Sequence, residues 1–203
     1  MYKLFWSPGS ASMAPHVLLE ELGVPYELTR VELGKPRDEA YLKLNPWGRV
    51  PTLVTDGKAI FESAAICLHL TDRHPDKGLA PAVGTMERAT FYQWLLFLAD
   101  TLQPAFMRIY RSSRFSDDPA HEPAVKDKAR RDIAEIWSTL DRALAGKTWL
   151  AGDRFSAADI YFHMLFTWDE DMAALKRGHH NLAALFDRIH GRPAVERIAA
   201  LNM

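Results

Sequence analysis

Every strand-like pattern in this chain falls within its first 75 residues, and none follows. That asymmetry limits the chain to a small mixed sheet joined to a helical second half. Tyr2 to Trp6 is a short β-rich run, and Ser7-Pro8-Gly9-Ser10 after it breaks both regular patterns. Val17, Leu18, Leu19 and Leu22 then recur at helical spacing, with Gly23 as a natural stop. Tyr26 to Val31 alternates apolar and polar residues, as a second strand does. Glu39 to Leu44 reads as a short helix ended by Asn45-Pro46. Val50 to Val54 is a strand, Asp56-Gly57 a hairpin turn, and Ala59 to Phe61 the return strand. Ser63 is expected to cap a helix that runs to about Arg73. The order is βαβ, a short helix, then ββα.

Residues 76–85, with Gly78, Pro81 and Gly84, read as a linker between a first domain at 1–75 and a second at 86–203. Phe91, Trp94, Leu95, Leu98 and Leu102 recur at helical spacing, and Pro104 is expected to kink or end that helix. Further helices are expected over Pro123 to Leu144, Asp159 to Trp168, Leu182 to Ile189 and Pro193 to Leu201. The second half therefore reads as an all-α bundle.

Composition narrows the function classes. The net charge of −1 builds no basic field, so nucleic-acid binding is not expected. The single cysteine, Cys67, excludes an intrachain disulfide. No apolar run approaches the roughly 20 residues of a membrane span. The N-terminus also lacks a signal-peptide core. A cytoplasmic protein without membrane attachment is the expectation. Metal is not expected either: His179 and His180 project in different directions from a helix, and no cysteine joins them. Cys67 lies among apolar residues and reads as an inert buried thiol, His16 as a surface histidine.

Four short segments of the first half carry chemistry. The turn around Ser7, Ser10 and Ser12 follows the first strand, where ligands sit in open α/β sheets and a helix N-terminus favours anions. Arg49-Val50-Pro51 opens a strand at a proline. The Val50 N–H and C=O are then free to pair with a peptide-like ligand, and a cis Val50–Pro51 bond would aim them outward. Glu62-Ser63 sets a carboxylate beside a helix start, suited to the ammonium and carboxylate of an α-amino acid. The loop from Glu32 to Arg37 offers Lys35 or Arg37 to a second carboxylate. The ligand that satisfies all four has an amino-acid head, a peptide middle, a thiol and a distal carboxylate. Glutathione has those parts.

The order of these motifs resembles the glutathione transferase family over the whole chain. Residues 1–75 resemble its thioredoxin-like domain. Asn45 to Leu53 (NPWGRVPTL) is similar to the segment ending in the family's cis-proline, and Glu62-Ser63-Ala64-Ala65-Ile66 to its glutathione motif. Phe155 to Asp159 resembles its buried capping box, and Arg192-Pro193-Ala194-Val195 its final helix.

The resemblance implies that Val50 and Pro51 hold the cysteinyl backbone of glutathione, with Arg49 and Lys35 nearby. It also implies that Glu62 and Ser63 hold the γ-glutamyl head. Trp6 stands near where tyrosine-type members carry their tyrosine, and Ala11 where beta-class members carry a cysteine. Leu96 and Gln103 fall where beta-class members have an asparagine and a histidine. Delta-class members use a serine at the place of Ser10, which makes Ser10 the candidate for thiol activation, with Ser12 and Ser7 as alternatives. Phe106, Tyr110, Arg111, Phe115 and Trp168 are candidate walls for a small electrophile.

The implied activity is conjugation of glutathione to small electrophiles by a homodimer, with isomerase or peroxidase side activity. The implied role is detoxification. The alternative is a glutathione-binding regulatory or interaction protein with little transferase activity.

Overall fold

The structure is a computed structural model that describes residues 1–202. Four strands form one sheet: β1 (Tyr2–Trp6), β2 (Tyr26–Arg30), β3 (Thr52–Thr55) and β4 (Lys58–Phe61), in the order β2-β1-β3-β4. β1 runs parallel to β2 and antiparallel to β3, and β3 and β4 form a hairpin. Asp56 and Gly57 turn that hairpin, both at positive φ (50° and 73°), as the two-residue loop requires.

The pleat sends successive side chains of β1 to opposite faces. Leu4 is fully buried beneath α1 (Met13–Leu22) and α3 (Ser63–Arg73), while the Phe5 ring lies 5.2 Å from Tyr41 of α2 (Glu39–Leu44). Helices thus cover both sheet faces, giving a thioredoxin-like first domain followed by an all-helical one.

The second half begins with α4 (Met86–Phe97). It continues through a π-helical turn over Leu98–Leu102 into α5 (Gln103–Tyr110). Pro104 therefore neither ends nor sharply interrupts the rod. It sits in the first turn of α5, where its missing N–H is tolerated, and the wider turn precedes it.

The remaining helices are α6 (Glu122–Ala143), α7 (Ala157–Phe166), α8 (Met172–Gly178), α9 (His180–His190) and α10 (Pro193–Asn202). The sequence reading omitted α8, whose first turn is held by the Asp171 carboxylate accepting from the Ala174 N–H at 2.8 Å. Every residue of α7 is buried, so this helix is the axis of the bundle. α1 packs against α3, α7 and α10, and one hydrophobic core runs through both halves. Arg192, just before α10, reaches Glu21 of α1 in a bidentate pair at 2.7 and 2.8 Å. No helix among the described residues is long and apolar enough to cross a membrane.

α7 starts at a fully buried carboxylate. Asp159 accepts the Ser156 N–H at 2.8 Å, the Ser156 hydroxyl at 2.9 Å and the Leu150 N–H at 2.9 Å. Burial pushes its carboxyl up to about 6, against those donors, which pull it down. Replacing Asp159 by Ala leaves three buried donors without an acceptor. It should cost about 3–5 kcal/mol of stability, read by urea unfolding.

Two buried histidines behave in the opposite sense. Burial holds His16 down at about 4 and His163 at about 3. His16 is not on the surface but enclosed between the Trp6 and Tyr26 rings. His163 stacks on Phe186 and His190. The unfolded chain takes up these protons first, so their contribution to stability is lost as pH falls from 6.5 through about 4 for His16 and about 3 for His163. The stability difference between pH 7 and pH 5 should therefore shrink in His163→Phe, measured by unfolding at both pH values.

Candidate functional site

A cleft of about 760 Å³ opens between the end of the sheet, where β1 leads into α1, and α5. Its floor is the turn between β1 and α1. Gly9, Ser10 and Ala11 face the cleft, while Ser7 and Ser12 lie beneath. The three serines form one network. The Ser10 hydroxyl lies 2.7 Å from the Ser7 carbonyl and 2.7 Å from the Ser12 hydroxyl. The Ser12 hydroxyl is itself 3.1 Å from the Ser7 carbonyl, and the Ser7 N–H donates to Ser12 Oγ at 3.1 Å. Either hydroxyl can therefore satisfy the Ser7 carbonyl.

The second wall is the segment before β3. The Val50–Pro51 bond is cis, and Arg49, Val50 and Pro51 all line the cleft. Tyr41 and Asn45 anchor this segment from behind. The Tyr41 hydroxyl and Asn45 Nδ2 donate to the Arg49 carbonyl at 2.5 and 2.9 Å. Val50 lies outside the strand ladder, which begins at Thr52.

Glu62 and Ser63 form the third wall. Ser63 is not the cap of α3 but its first residue. Its hydroxyl donates to the Ala11 carbonyl at 2.6 Å, and Glu62 occupies the cap position at φ 72°. A local capping rule cannot see an acceptor 52 positions away. The first bond of α3 runs from the Ile66 N–H to the Glu62 carbonyl, so the earlier N–H groups of this turn have no helical partner. The Glu62 carboxylate stands exposed beside them.

Tyr110, Arg111 and Trp168 line the helical side, with the Tyr110 hydroxyl donating to the Trp168 carbonyl. The other two electrophile-wall candidates do not reach the cleft. Phe106 is 1% exposed and packs among Tyr110, Trp137 and Trp168, because it lies one turn below Tyr110 toward the core. Phe115 lines a separate shallow depression with Arg108 and His121. Lys35 also lies outside the cleft and pairs with Glu32 at the surface.

Further residues complete the cleft. Asn45, Trp47, Met107 and Arg114 line it, as does Gln103, which accepts from the Tyr161 hydroxyl at 2.5 Å. Of the two basic candidates in the loop, Arg37 is the one that lines the cleft. Its guanidinium is spent on the carbonyls of Gly48, Glu32 and Lys35 at 2.8, 2.6 and 2.6 Å. Among the described residues no group of three or more His, Cys, Asp or Glu is arranged to hold a metal ion. Cys67 is fully buried, and burial alone pushes its thiol far above the ordinary range.

Two family models match the chain. The glutathione S-transferase N-terminal domain covers residues 10–73, and the corresponding C-terminal domain covers residues 97–193. The chain belongs to the glutathione S-transferase family.

It is 32% identical to a glutathione S-transferase of Xanthomonas campestris pv. campestris over 92% of both chains. It is also 32% identical to the glutathione S-transferase GstA of Escherichia coli O157:H7, over 96% of this chain and 95% of that one. Among solved structures, a sphingomonad glutathione S-transferase complexed with glutathione superposes with a TM-score of 0.87. That match is at 34% identity and covers 98% of each chain. The bacterial beta-class glutathione S-transferase of Sphingomonas chungbukensis superposes with a TM-score of 0.86 at 33% identity, again over 98% of each chain.

Gly48 is the hinge between the Arg37 anchor and the Val50 segment. Its φ is 62°, and a Cβ there would meet Arg37 Cγ at 3.0 Å. Gly48→Ala should therefore cost about 1 kcal/mol or more from backbone strain alone. It should also loosen the loop, read as faster amide exchange over residues 45–50.

Proposed function

We propose that this glutathione S-transferase family member conjugates glutathione to small electrophiles, with Ser10 activating the thiol. The observation that carries the reading is convergence. One cleft is lined by Ser10, by Val50 outside its ladder, and by Glu62 and Ser63 at the start of α3. In this reading the Val50 N–H and C=O pair with the cysteinyl backbone. Glu62 takes the γ-glutamyl ammonium, and the first turn of α3 takes the α-carboxylate. The relatives in hand support glutathione as substrate: one of the matched structures holds it.

Ser10 can donate a hydrogen bond to the thiolate without leaving its neighbours unsatisfied. Ser12 takes over donation to the Ser7 carbonyl, and the Ser10 hydroxyl turns to the ligand sulfur. The Ser10 oxygen still accepts from the Ser12 N–H at 3.3 Å. A free thiol ionises near 8.5, and lowering it by about two units takes roughly 3 kcal/mol. A hydroxyl bonded to a charged sulfur contributes about 1.5–3 kcal/mol, and a helix N-terminus about 0.3–1. The two together reach that range.

The thiol proton leaves to water, and the thiolate attacks an electrophilic carbon held against Tyr110, Arg111 and Trp168. The C–S bond forms as the leaving group departs with its electron pair. The protein forms no covalent bond and supplies position and charge stabilisation. A homodimer of cytoplasmic location belongs to the same reading, by analogy with the family.

A second reading, a glutathione-binding protein with little transferase activity, has one observation in its favour: the Ser10 proton already has two acceptors at 2.7 Å. Kinetics separate the two. Ser10→Ala should lower kcat/KM for 1-chloro-2,4-dinitrobenzene by about 10–100-fold, and Glu62→Gln should mainly raise KM for glutathione. An unchanged rate in Ser10→Ala would remove Ser10 from the mechanism.

A further inference from the structure

The charge lining the cleft is lopsided. Arg37, Arg49, Arg111 and Arg114 face it, with Glu62 as the one acidic residue, so four positive charges less one negative leave +3. None of these arginines takes part in an ion pair among the described residues. Arg73, Arg88, Arg108, Arg130, Arg192 and Arg197 each do. Arg37 is tied down by three carbonyls, but the other three are not. Arg49 lies over the Trp47 ring at 5.3 Å; among the described residues the Arg111 guanidinium bonds only the Tyr110 carbonyl, at 3.0 Å, and the Arg114 guanidinium has no acceptor. Burial and the nearby Arg49 and Arg111 guanidiniums hold the Arg114 guanidinium below its ordinary range. Three cations that repel one another across one cleft are matched to anions from solution.

Glutathione as thiolate carries two carboxylates, one ammonium and one sulfur anion, and offsets two of those three charges. One positive charge remains, on the α5 side, where Arg111 and the adjoining Arg114 stand beside Tyr110 and Trp168. We infer that the second substrate is an anionic aromatic electrophile, whose carboxylate or equivalent oxyanion is held by Arg111 and Arg114. Its ring lies against Tyr110 and Trp168. Guanidinium forks suit a planar carboxylate, and aromatic walls suit the ring that carries it. This inference rests on the transferase reading for its counting of charge, but not for the arginine pair itself.

A matched pair of aryl chlorides tests it. With 4-chloro-3,5-dinitrobenzoate the thiolate attacks the carbon bearing chlorine, the C–S bond forms, and chloride leaves with the electron pair. The matching amide, 4-chloro-3,5-dinitrobenzamide, has the same shape and no charge. Affinities of the two glutathione conjugates, measured by calorimetry at low salt, need no turnover.

The carboxylate conjugate should bind at least tenfold more tightly than the carboxamide. Arg114→Gln should remove most of that ratio, and the exposed Arg177→Gln, outside the cleft, should leave it intact. Equal affinities, or a ratio unchanged in Arg114→Gln, would overturn the inference. If neither conjugate nor glutathione binds, the transferase reading fails, and the free benzoate decides the arginine pair. Arg114-dependent preference for benzoate over benzamide would uphold it, and no preference would overturn it.

Discussion

The buried hydrogen bond from the Ser63 hydroxyl to the Ala11 carbonyl joins two segments that lie 52 positions apart. One is the turn that carries Ser10; the other is the start of α3, with Glu62 beside it. Each is locally weak: a serine-rich turn and a helix whose cap residue has positive φ. Together they make two walls of one cleft. The Val50 segment depends on the same logic, since Tyr41 and Asn45 both donate to the Arg49 carbonyl and fix it in place. The site is therefore held by side-chain hydrogen bonds to main-chain carbonyls of neighbouring segments, which leaves the Val50 backbone groups free.

The helical half contributes in two ways. α7 is buried on all sides and is nucleated by Asp159, so the bundle has a fixed axis against which α1 and α3 pack. The continuous rod from α4 through the π turn to α5 then carries Tyr110 and Arg111 to the mouth of the cleft. Position comes from packing, and chemistry from the few polar groups that packing leaves uncovered.

Much of the architecture was legible in the sequence because the signals were local. The strand runs, the Asp56-Gly57 turn and the Gly23 stop depend only on neighbouring residues, as does the Ser156–Asp159 box. What was not legible depends on contacts between distant segments. Ser63 looks like a cap because its true acceptor, Ala11, is far away in sequence. His16 looks like a surface residue on a short helix because Trp6 and Tyr26 bury it from other elements. Phe106 and Tyr110 share one helix face, yet depth in the bundle makes one core and the other lining. Trp47 comes from a turn and Arg114 from a single 3-10 turn, neither long enough to carry a periodic signal. Helix α8 was missed because its short apolar content is diluted by charge and ends at Gly178.

The proposed role of the Ser10 turn is to lower the pKa of a bound thiol. It is tested most directly by titrating the protein with glutathione and following thiolate absorbance in the ultraviolet at several pH values. Saturable binding is expected, with the bound thiol ionising about two units below its free value. Binding with an unshifted thiol, or none at millimolar glutathione, would contradict it.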